Sequence, residues 1–268
     1  MVDIVISGFA GRMGKSIFQM AKLCEDVRVV GAVERENCPE IGLPINEMIR
    51  LSSDVNGLLN SDTVLVDFTN PNATINHLEE AIKYKAKMLI GTTGFTDEQE
   101  EFIKKASDRI AILESHNYGI GMNVFWEILR VVTKLLKHDY EVEIMEFHAA
   151  NKPDVPSGTG LTIGRIIAES MGEEFSNVVR FGRGQTKENT RPKNEICFHS
   201  LRAGSYRSEH TVIFAGNGEY LKFTHAEESP SIISRGVILG AKFLANKQKG
   251  LYSMADVIRD TEQYKGGD

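Results

Sequence analysis

The stretch DIVISGFAGRMG, residues 3–14, determines the fold class of the first half of this chain. Its first five residues have the apolar character of a short buried strand, and the apolar residues from Arg12 to Cys24 recur with a helical period. Between the two, Gly8, Gly11 and Gly14 form GxxGxxG, the dinucleotide-binding fingerprint shifted by one residue. Such a turn lets the backbone approach a pyrophosphate, toward which the free N–H groups of the helix N-terminus point.

The next strand, Val27–Val33, is followed by an acidic residue that strengthens this interpretation. Glu34 comes 20 residues after Gly14, where the fold places an acid on the ribose hydroxyls of a dinucleotide. A carboxylate here favours the free 2′-hydroxyl of NADH, whereas a guanidinium favours the 2′-phosphate of NADPH. Glu34 followed by Arg35 therefore predicts a site that accepts both NADH and NADPH. Two plainer interpretations stay open, an ordinary tight turn and an exposed ion pair. The predicted contacts in the turn are Gly8, Phe9, Ala10, Gly11, Arg12 and Met13.

Short apolar strands alternate with helical segments through the rest of the first half. Strands are expected at Thr63–Phe68, Lys87–Gly91 and Ala111–Ser115. Helices are expected at about Ala73–Lys85 and from Thr96, which forms a capping box with Gln99, to about Lys105. This alternation predicts a parallel sheet covered on both faces, hence an α/β fold with an N-terminal Rossmann-like dinucleotide-binding domain.

Polar residues follow several of these strands. Ligands of open parallel sheets bind outside the carboxyl ends of the strands. The predicted cofactor contacts at these ends are Phe68, Gly91, Thr92, Thr93, Ser115, His116, Asn117 and Tyr118. The segment from Gly91 to Gly94 also fits a plain turn, but its hydroxyl and N–H groups suit a carboxamide or carboxylate. Thr93 is therefore a predicted substrate contact as well.

The second half has a different order of elements. A helix at about Met122–Leu135, a strand at Glu141–Phe147 and a helix at about Gly158–Met171 are expected first. The charged stretch Gly182–Asn194 is expected to be a mobile loop. Three strand-like runs follow, at Glu195–Leu201, Ser208–Phe214 and Tyr220–Ala226, and Gly216-Asn217-Gly218 predicts a hairpin between the last two. These patterns predict a second α+β domain built on a mixed, largely antiparallel sheet.

The segment EFHAANKPDVPSGTG, residues 146–160, carries the most specific chemistry in the sequence. His148 can exchange a proton near neutral pH, and Lys152 adds a positive charge on a loop that two prolines stiffen. Ser157, Gly158 and Thr159 then open a helix whose N–H and hydroxyl groups suit an anion. Each residue alone also fits a plainer role: polar surface, a solvated lysine, or a simple N-cap. Their clustering favours a functional site.

Composition excludes several classes of protein and function. The chain has 268 residues, 41% hydrophobic and 25% charged, which is typical of a globular protein. A net charge of −6 without a dense basic stretch argues against nucleic-acid binding. No apolar run is long enough to cross a membrane, and no secretory signal is expected. The three cysteines form no CxxC pair, so neither a metal site nor a disulfide framework is indicated, and a cytoplasmic location is expected.

Taken together, these motifs resemble the 4-hydroxy-tetrahydrodipicolinate (dihydrodipicolinate) reductase family of the diaminopimelate route to lysine. The hallmark of this family, E-x-H-H-x-x-K-x-D-x-P-S-G-T, is matched by Glu146, His148, Lys152, Asp154, Pro156, Ser157, Gly158 and Thr159. The resemblance extends over essentially the whole chain, since it also includes GFAGRMG, Glu34-Arg35, VDFTNP, IGTTGF and NYGIGMN.

The resemblance implies the organisation and activity of the chain. Residues 1–121 and 231–268 would form the dinucleotide-binding domain, and residues 122–230 a domain for substrate binding and tetramer contacts. The substrate would be a small cyclic dicarboxylate whose 4-hydroxyl leaves as water before NADH or NADPH supplies a hydride. His148 and Lys152 would be catalytic, and Ser157, Gly158 and Thr159 would bind a substrate carboxylate.

One departure from the family pattern keeps two alternatives open. Ala149 stands where the family has a second histidine, which helps to hold the substrate. A dehydrogenase of the same architecture acting on a diamino acid is therefore one alternative. The other is a nucleotide-binding sensor without catalysis, in which His148 and Lys152 would be dispensable.

Overall fold

A computed structural model describes residues 1–184, 190–205, 207–229 and 231–260 of the protein. The strands are β1 (Val2–Ser7), β2 (Val27–Val33), β3 (Thr63–Asp67), β4 (Lys87–Ile90), β5 (Ala111–Glu114), β6 (Glu141–His148), β7 (Val179–Phe181), β8 (Ile196–Arg202), β9 (Ser208–Ala215), β10 (Tyr220–Glu227) and β11 (Gly250–Tyr252). The helices are α1 (Arg12–Ala21), α2 (Pro71–Tyr84), α3 (Asp97–Ala106), α4 (Ile120–Leu136), α5 (Gly158–Met171), α6 (Phe175–Val178), α7 (Ser231–Ala245) and α8 (Met254–Asp260).

The chain divides into two compact units. Unit 1 comprises residues 1–120 and 231–268, and unit 2 comprises residues 121–230. The predicted boundary was one residue later, between 121 and 122. The last eight residues of the expected first domain, 261–268, lie outside the described residues, as do residues 185–189 of the loop expected at Gly182–Asn194. The binding roles assigned to the two domains stay predictions.

Unit 1 is built on a parallel sheet with the strand order β11-β5-β4-β3-β1-β2. One face packs against apolar residues of α1, α7 and α8, and the other against α2 and α3. The predicted α/β class with a sheet covered on both faces is therefore confirmed. β1 lies between β2 on one side and β3 on the other, so the strand order reverses at β1. The glycine-rich turn, which follows β1, therefore lies at a topological switch point of the sheet.

Local sequence signals set the ends of the helices that flank this switch point. In α2, Asn70 caps the helix through Ala73 N–H and Pro71 occupies the first turn. The capping box predicted for α3 is present, since the side chains of Thr96 and Gln99 each accept a hydrogen bond from the other's backbone N–H. In α1, Gly11 is the N-cap residue and makes no side-chain cap, so first-turn N–H groups remain available.

Unit 2 contains a mixed sheet with the order β10-β9-β6-β8-β7. The two pairings among β10, β9 and β6 are antiparallel, and the two among β6, β8 and β7 are parallel. The mixed sheet is confirmed, but antiparallel pairing accounts for only half of it. The reason is that β8 pairs with β6 in the parallel direction. This pairing joins segments that are distant in sequence, and the hairpin predicted at Gly216–Gly218 gives no information about it. Apolar residues of α4 and α5 cover one face of this sheet.

Three short elements were not predicted from the sequence: β7, α6 and β11, of three or four residues each. Segments of this length are too short to show a helical or strand period. In the part of the chain that the structure describes, no helix has the length and apolar character required to cross a bilayer.

Candidate active site

The glycine-rich turn of unit 1 is tight because its backbone packs on itself and on the end of β3. Gly8 has a φ of +77°, and a Cβ atom there would lie 2.5 Å from the carbonyl oxygen of Phe68. A Cβ atom on Gly14 would lie 2.4 Å from the carbonyl oxygen of Gly8 and 2.5 Å from Cα of Phe9. Backbone atoms cannot move aside as the end of a flexible side chain can, so both positions require glycine.

A cavity of about 470 Å³ lies beside this turn, which is within the size range of small-molecule sites. The predicted contacts that line it are Gly8, Ala10, Gly11, Glu34, Arg35 and Phe68. Ser7, Cys38, Ser53, Thr69, Asn70, Ala73 and His77 complete the lining. The turn, the acid after β2 and the end of β3 therefore meet around one cavity, as a dinucleotide site requires.

Glu34 is held at the edge of the glycine-rich turn. Its carboxylate accepts hydrogen bonds from Ala10 N–H at 3.0 Å and from Arg35 N–H at 3.1 Å. The side chain of Arg35 is exposed. A carboxylate fixed in this place suits the hydroxyls of a ribose, and an exposed guanidinium beside it suits a phosphate.

Other predicted cofactor contacts have structural roles in unit 1. The Phe9 and Tyr118 side chains are buried, and the single hydrogen of the Tyr118 hydroxyl is shared between the carbonyl oxygens of Ile90 at 2.7 Å and Leu113 at 3.1 Å. Burial raises the pKa of Tyr118 well above its ordinary value. A Cβ atom on Gly91 would overlap the Phe68 ring.

The remaining predicted contacts of unit 1 do not line the cavity. Their side chains are exposed at Arg12 and Thr93, buried at Thr92, and partly buried at Met13. Ser115, His116 and Asn117 form the turn before α4, where the Ser115 hydroxyl donates to the Asn117 carbonyl oxygen at 2.7 Å. At all these positions a cofactor contact stays a prediction.

In unit 2, Glu146 lies at the centre of the second group of predicted residues. Its side chain is fully buried. The carboxylate accepts hydrogen bonds from Ser157 N–H at 2.9 Å, from the Ser157 hydroxyl at 2.5 Å and from Arg202 Nη2 at 2.7 Å. Burial alone would raise the pKa of Glu146, but the hydrogen bonds from Ser157 and Arg202 hold it below its ordinary value. Glu146 is therefore an anion that ties the start of α5 to the sheet.

His148 is the last residue of β6 and is buried. Its Nδ1 lies 3.3 Å from the carbonyl oxygen of Arg207, and because a carbonyl only accepts, Nδ1 carries a hydrogen. Its Nε2 lies 3.7 Å from Oε2 of Glu146 and has no hydrogen-bond partner among the described residues. Burial lowers the pKa of His148, and the carboxylate of Glu146 opposes that change. The resting imidazole is therefore neutral near pH 7, with its second nitrogen facing inward.

Lys152 and the start of α5 form the more accessible part of this group. Lys152 Nζ pairs with Asp154 Oδ1 at 2.8 Å, and its side chain is 31% exposed. Gly158 is exposed and Thr159 partly so. Ser157 was predicted to bind a substrate carboxylate, but it is buried. Its hydroxyl oxygen accepts a hydrogen bond from Gly160 N–H and so caps α5. Its own N–H and hydroxyl both donate to Glu146. In this structure the donors of Ser157 are used internally, so the accessible start of α5 is at Gly158 and Thr159.

Two groups of side chains in unit 2 have a spacing that a metal ion could use. The ligating atoms of Glu146, His148 and His210 lie within 4.8 Å of one another, and so do those of a second group, Glu143, Cys197 and His199. In both groups the carboxylate already accepts hydrogen bonds from protein donors, among them Ser157 and Arg202 at Glu146. The geometry therefore favours hydrogen-bonded networks at both places.

Family models match both halves of the chain. The model described as "Dihydrodipicolinate reductase, N-terminus" matches residues 2–118, and the model described as "Dihydrodipicolinate reductase, C-terminus" matches residues 121–258. The chain belongs to the dihydrodipicolinate reductase family. The family resemblance expected from the sequence motifs is thereby confirmed over nearly the whole length of the protein.

Individual relatives agree with this membership. The 4-hydroxy-tetrahydrodipicolinate reductase of Nitrosospira multiformis is 36% identical over 264 residues, covering 96% of this chain and 97% of that protein. A dipicolinate-bound dihydrodipicolinate reductase from Paenisporosarcina sp. TG-14 has a similar fold, with a TM-score of 0.80 at 21% identity and coverage of 96% and 99% of the two chains. A mutant meso-DAP dehydrogenase with DAP from Clostridium tetani shares only the fold, with a TM-score of 0.54, 11% identity and coverage of 100% and 97%.

The structure also places functional candidates that sequence reasoning missed in this member of the reductase family. His210 lies edge-on to His148 with ring centres 5.1 Å apart, and Arg202 reaches Glu146 from β8. Burial, together with His148, lowers the pKa of His210 to about 3. The sequence offers no local signal for either residue, because only the pairing of β6 with β8 and β9 brings them to Glu146.

A second missed group lies beneath the cavity of unit 1. The fully buried carboxylate of Asp67 accepts hydrogen bonds from Thr74 at 2.7 Å and Thr92 at 3.0 Å, and it lies 2.6 Å from Nδ1 of His77. Asp67 ends an otherwise apolar strand, and a lone acid in that position is a signal of buried partners. The network explains why Thr92, predicted as a cofactor contact, points inward.

Proposed function

We propose that this chain reduces 4-hydroxy-tetrahydrodipicolinate to tetrahydrodipicolinate, with loss of water, in lysine biosynthesis through diaminopimelate. The overall reaction consumes one NAD(P)H and one proton and releases NAD(P)⁺ and water. The chain is an oxidoreductase by its family, and its nicotinamide cofactor follows from that. The observation that carries the residue assignment is the grouping of His148, Lys152 and the exposed start of α5 around the buried Glu146 within unit 2.

The cavity of unit 1 fits the proposed cofactor. Gly8 and Gly11 leave the lining of the cavity free of side chains where a pyrophosphate would approach the backbone, and Glu34 is fixed at the same cavity, where its carboxylate would accept hydrogen bonds from a ribose diol. When bound, the cofactor supplies the hydride for the reduction. Arg35 is exposed at the same cavity and would pair with the 2′-phosphate of NADPH, so we infer that both NADH and NADPH are accepted.

Unit 2 supplies the proposed contacts to the substrate. The exposed N-terminus of α5 at Gly158 and Thr159 offers backbone donors and the positive end of a helix dipole to a carboxylate. Lys152 adds a cation on the preceding loop. Its present partner, Asp154, is 48% exposed, so a substrate carboxylate can compete for the ammonium group. Thr93, a residue of unit 1, stays a predicted substrate contact.

His148 is the proposed proton donor. Reduction of the conjugated ring places negative charge on it, which a proton must neutralise. A neutral buried imidazole is a poor acid, but a dicarboxylate bound nearby favours the protonated form, because an opposite charge raises the pKa of a histidine. Substrate binding would therefore charge His148 when the proton is needed.

The experiment that tests the proposal is turnover of freshly prepared 4-hydroxy-tetrahydrodipicolinate, followed as loss of NADH or NADPH absorbance. Rapid oxidation of the cofactor that requires the substrate is the expected result. No oxidation, with cofactor binding intact, would contradict the proposal. The same assay without the protein excludes a background reaction.

Ala149 favours one second candidate, a dehydrogenase acting on a diamino acid. The shared fold with a DAP dehydrogenase is compatible with it but carries no information on substrate. The same assay separates the two functions: NAD(P)⁺ reduction by meso-diaminopimelate, without NAD(P)H oxidation by the dicarboxylate, would favour the dehydrogenase. A sensor without catalysis would show neither activity, and its nucleotide binding would be indifferent to substitution of His148.

We further propose that the protein is a homotetramer held together through the sheet of unit 2. The face opposite to α4 and α5 carries partly or fully exposed apolar side chains at Met145, Phe147, Leu201, Ile213 and Tyr220. Exposed apolar side chains on one face of a sheet are compatible with an interaction site between subunits. Light scattering coupled to gel filtration would measure the subunit number, and Leu201→Lys should lower it. The three free cysteines and the use of a nicotinamide cofactor are consistent with a cytoplasmic location.

A further inference from the structure

Two rows of polar side chains cross one face of the unit 2 sheet, which is otherwise apolar. Strand pairing sets Ser200, Glu146, His210 and His225 opposite one another in one row, and Arg202, His148, Ser208 and Glu227 in the next. Among these eight residues, the proposed function assigns a role in the reaction only to His148. Glu146, His148, Ser208 and His210 are buried, and buried polar groups are costly unless they are paired, so their arrangement needs an explanation.

The charges of this face are arranged around His148. Glu146 is the anion whose Oε2 lies 3.7 Å from His148 Nε2, and Arg202 is bound to that same carboxylate. His210 faces His148 from β9 and is neutral, since its pKa is lowered to about 3. Lys152 on the loop, which pairs with Asp154, acts electrostatically on both His148 and Glu227 of β10.

The tautomer of His148 determines which ring nitrogen takes up a proton under the influence of these charges. The carbonyl oxygen of Arg207 fixes the hydrogen of the ring on Nδ1, so an added proton must go to Nε2. Nε2 is buried and has no hydrogen-bond partner in the described part of the chain. The anion nearest to it is Glu146, whose charge is itself fixed by Ser157 and Arg202.

We propose that Glu146 is a positioning residue for His148: its buried carboxylate supplies the counter-charge for a proton on Nε2 and locks the start of α5 beside the imidazole. Arg202 has the opposite effect on that proton, because it neutralises Glu146. Burial and Lys152 also lower the proton affinity of His148, and on neighbouring strands Glu146 raises it while Arg202 lowers it. The effect of Glu146 on the proton of His148 does not depend on the proposed function. Only its consequence for catalysis rests on the proposed role of His148.

The test is an NMR titration of the His148 imidazole in the whole protein, assigned by its loss in His148→Gln. In Glu146→Gln we expect the proton affinity of His148 to fall about tenfold or more, which lowers the titration midpoint by about one pH unit. In Arg202→Gln we expect the midpoint to rise, and the double variant should lie between the two. Shifts of opposite sign are not expected from a general loss of packing.

Two outcomes would overturn the inference: an unchanged midpoint in a folded Glu146→Gln protein, or shifts of the same sign in both single variants. If Glu146→Gln does not fold, Glu146→Asp and Arg202→Gln still give a test. The aspartate in Glu146→Asp keeps the negative charge but holds it one methylene farther from His148. The titration midpoint of His148 in this variant should therefore fall by less than about one pH unit.

The catalytic consequence is measured separately. If His148 is the proton donor, the pH at which kcat falls on the alkaline side should move with the NMR midpoint in each variant, whereas a merely structural role would lower kcat without moving this pH. An NMR midpoint that shifts as expected while the kcat profile stays fixed would remove His148 from catalysis and leave the role of Glu146 intact.

Discussion

The two candidate sites of this protein are built in different ways. In unit 1 the cavity lies at the ends of consecutive parallel strands beside the glycine-rich turn, in which Gly8 and Gly14 are required because other backbone atoms lie 2.4–2.5 Å from where a Cβ would be. In unit 2 the site is formed by side chains on strands that are distant in sequence, joined through the buried Glu146. A backbone site tolerates changes of side chain but not added atoms, whereas a side-chain network depends on the charge of each member.

The substitution His148→Gln tests the side-chain site most strongly. It keeps the size of the residue but removes the titratable group, so we expect kcat to fall by about 10²–10⁴-fold with substrate saturating. Nucleotide affinity, a property of unit 1, should be unchanged. Steady-state kinetics together with a fluorescence titration of NADH would measure both, and a nearly normal kcat would remove His148 from catalysis.

The matching test of the backbone site is Gly14→Ala. The added Cβ would overlap backbone atoms of Gly8 and Phe9, so the turn must shift, at a cost of about 1–3 kcal/mol in the free energy of unfolding. NADH affinity should fall at least about tenfold. Gly158→Ala is the control for unfolding and NADH binding, because a Cβ at this first residue of α5 in unit 2 meets nothing within 4 Å. Equal effects of the two substitutions in urea unfolding and NADH titration would contradict the account of the turn.

The buried histidines of unit 2 predict a pH dependence of stability. The pKa of His210 is about 3 in the folded protein, below its ordinary value of 6.5, so the unfolded chain takes up its proton first. Stability from this residue is complete above about pH 6.5 and is lost as the pH falls toward 3, by about 1.4 kcal/mol per pH unit. Urea unfolding at pH 7.5 and 5.5 should show this loss.

Substituted proteins identify the source of that loss. His210→Asn should reduce the difference in unfolding free energy between the two pH values by about 1 kcal/mol, since asparagine does not titrate. His138 is exposed, and His138→Asn should leave the difference as it is in the unsubstituted protein. If the two variants behave alike, His210 is not the acid-sensitive group.

The smallest expected effect concerns cofactor choice in unit 1. In the unsubstituted protein, kcat/KM for NADH and NADPH should agree within about tenfold, or about 1.4 kcal/mol. Arg35→Ala should lower kcat/KM for NADPH more than for NADH, because only NADPH carries the 2′-phosphate. Equal losses with both cofactors would show that Arg35 does not recognise the phosphate.

The sequence alone determined the features that depend on neighbours along the chain. The glycine-rich turn, the capping box of α3, the bounds of α5 and the alternation of strands and helices in unit 1 follow from local geometry and period, and the structure shows them. The family motifs around His148 and Lys152 were also readable, because they occupy one continuous segment.

Only the tertiary structure decided which distant residues meet. Glu146, Arg202 and His210 come together because β6 pairs in parallel with β8 and antiparallel with β9, and a register shift of one residue would turn these side chains to the other face. The burial of Ser157 and the inward Nε2 of His148 follow from the same packing. Strand pairing over fifty residues depends on the whole core of the unit, so no local pattern in the sequence encodes it.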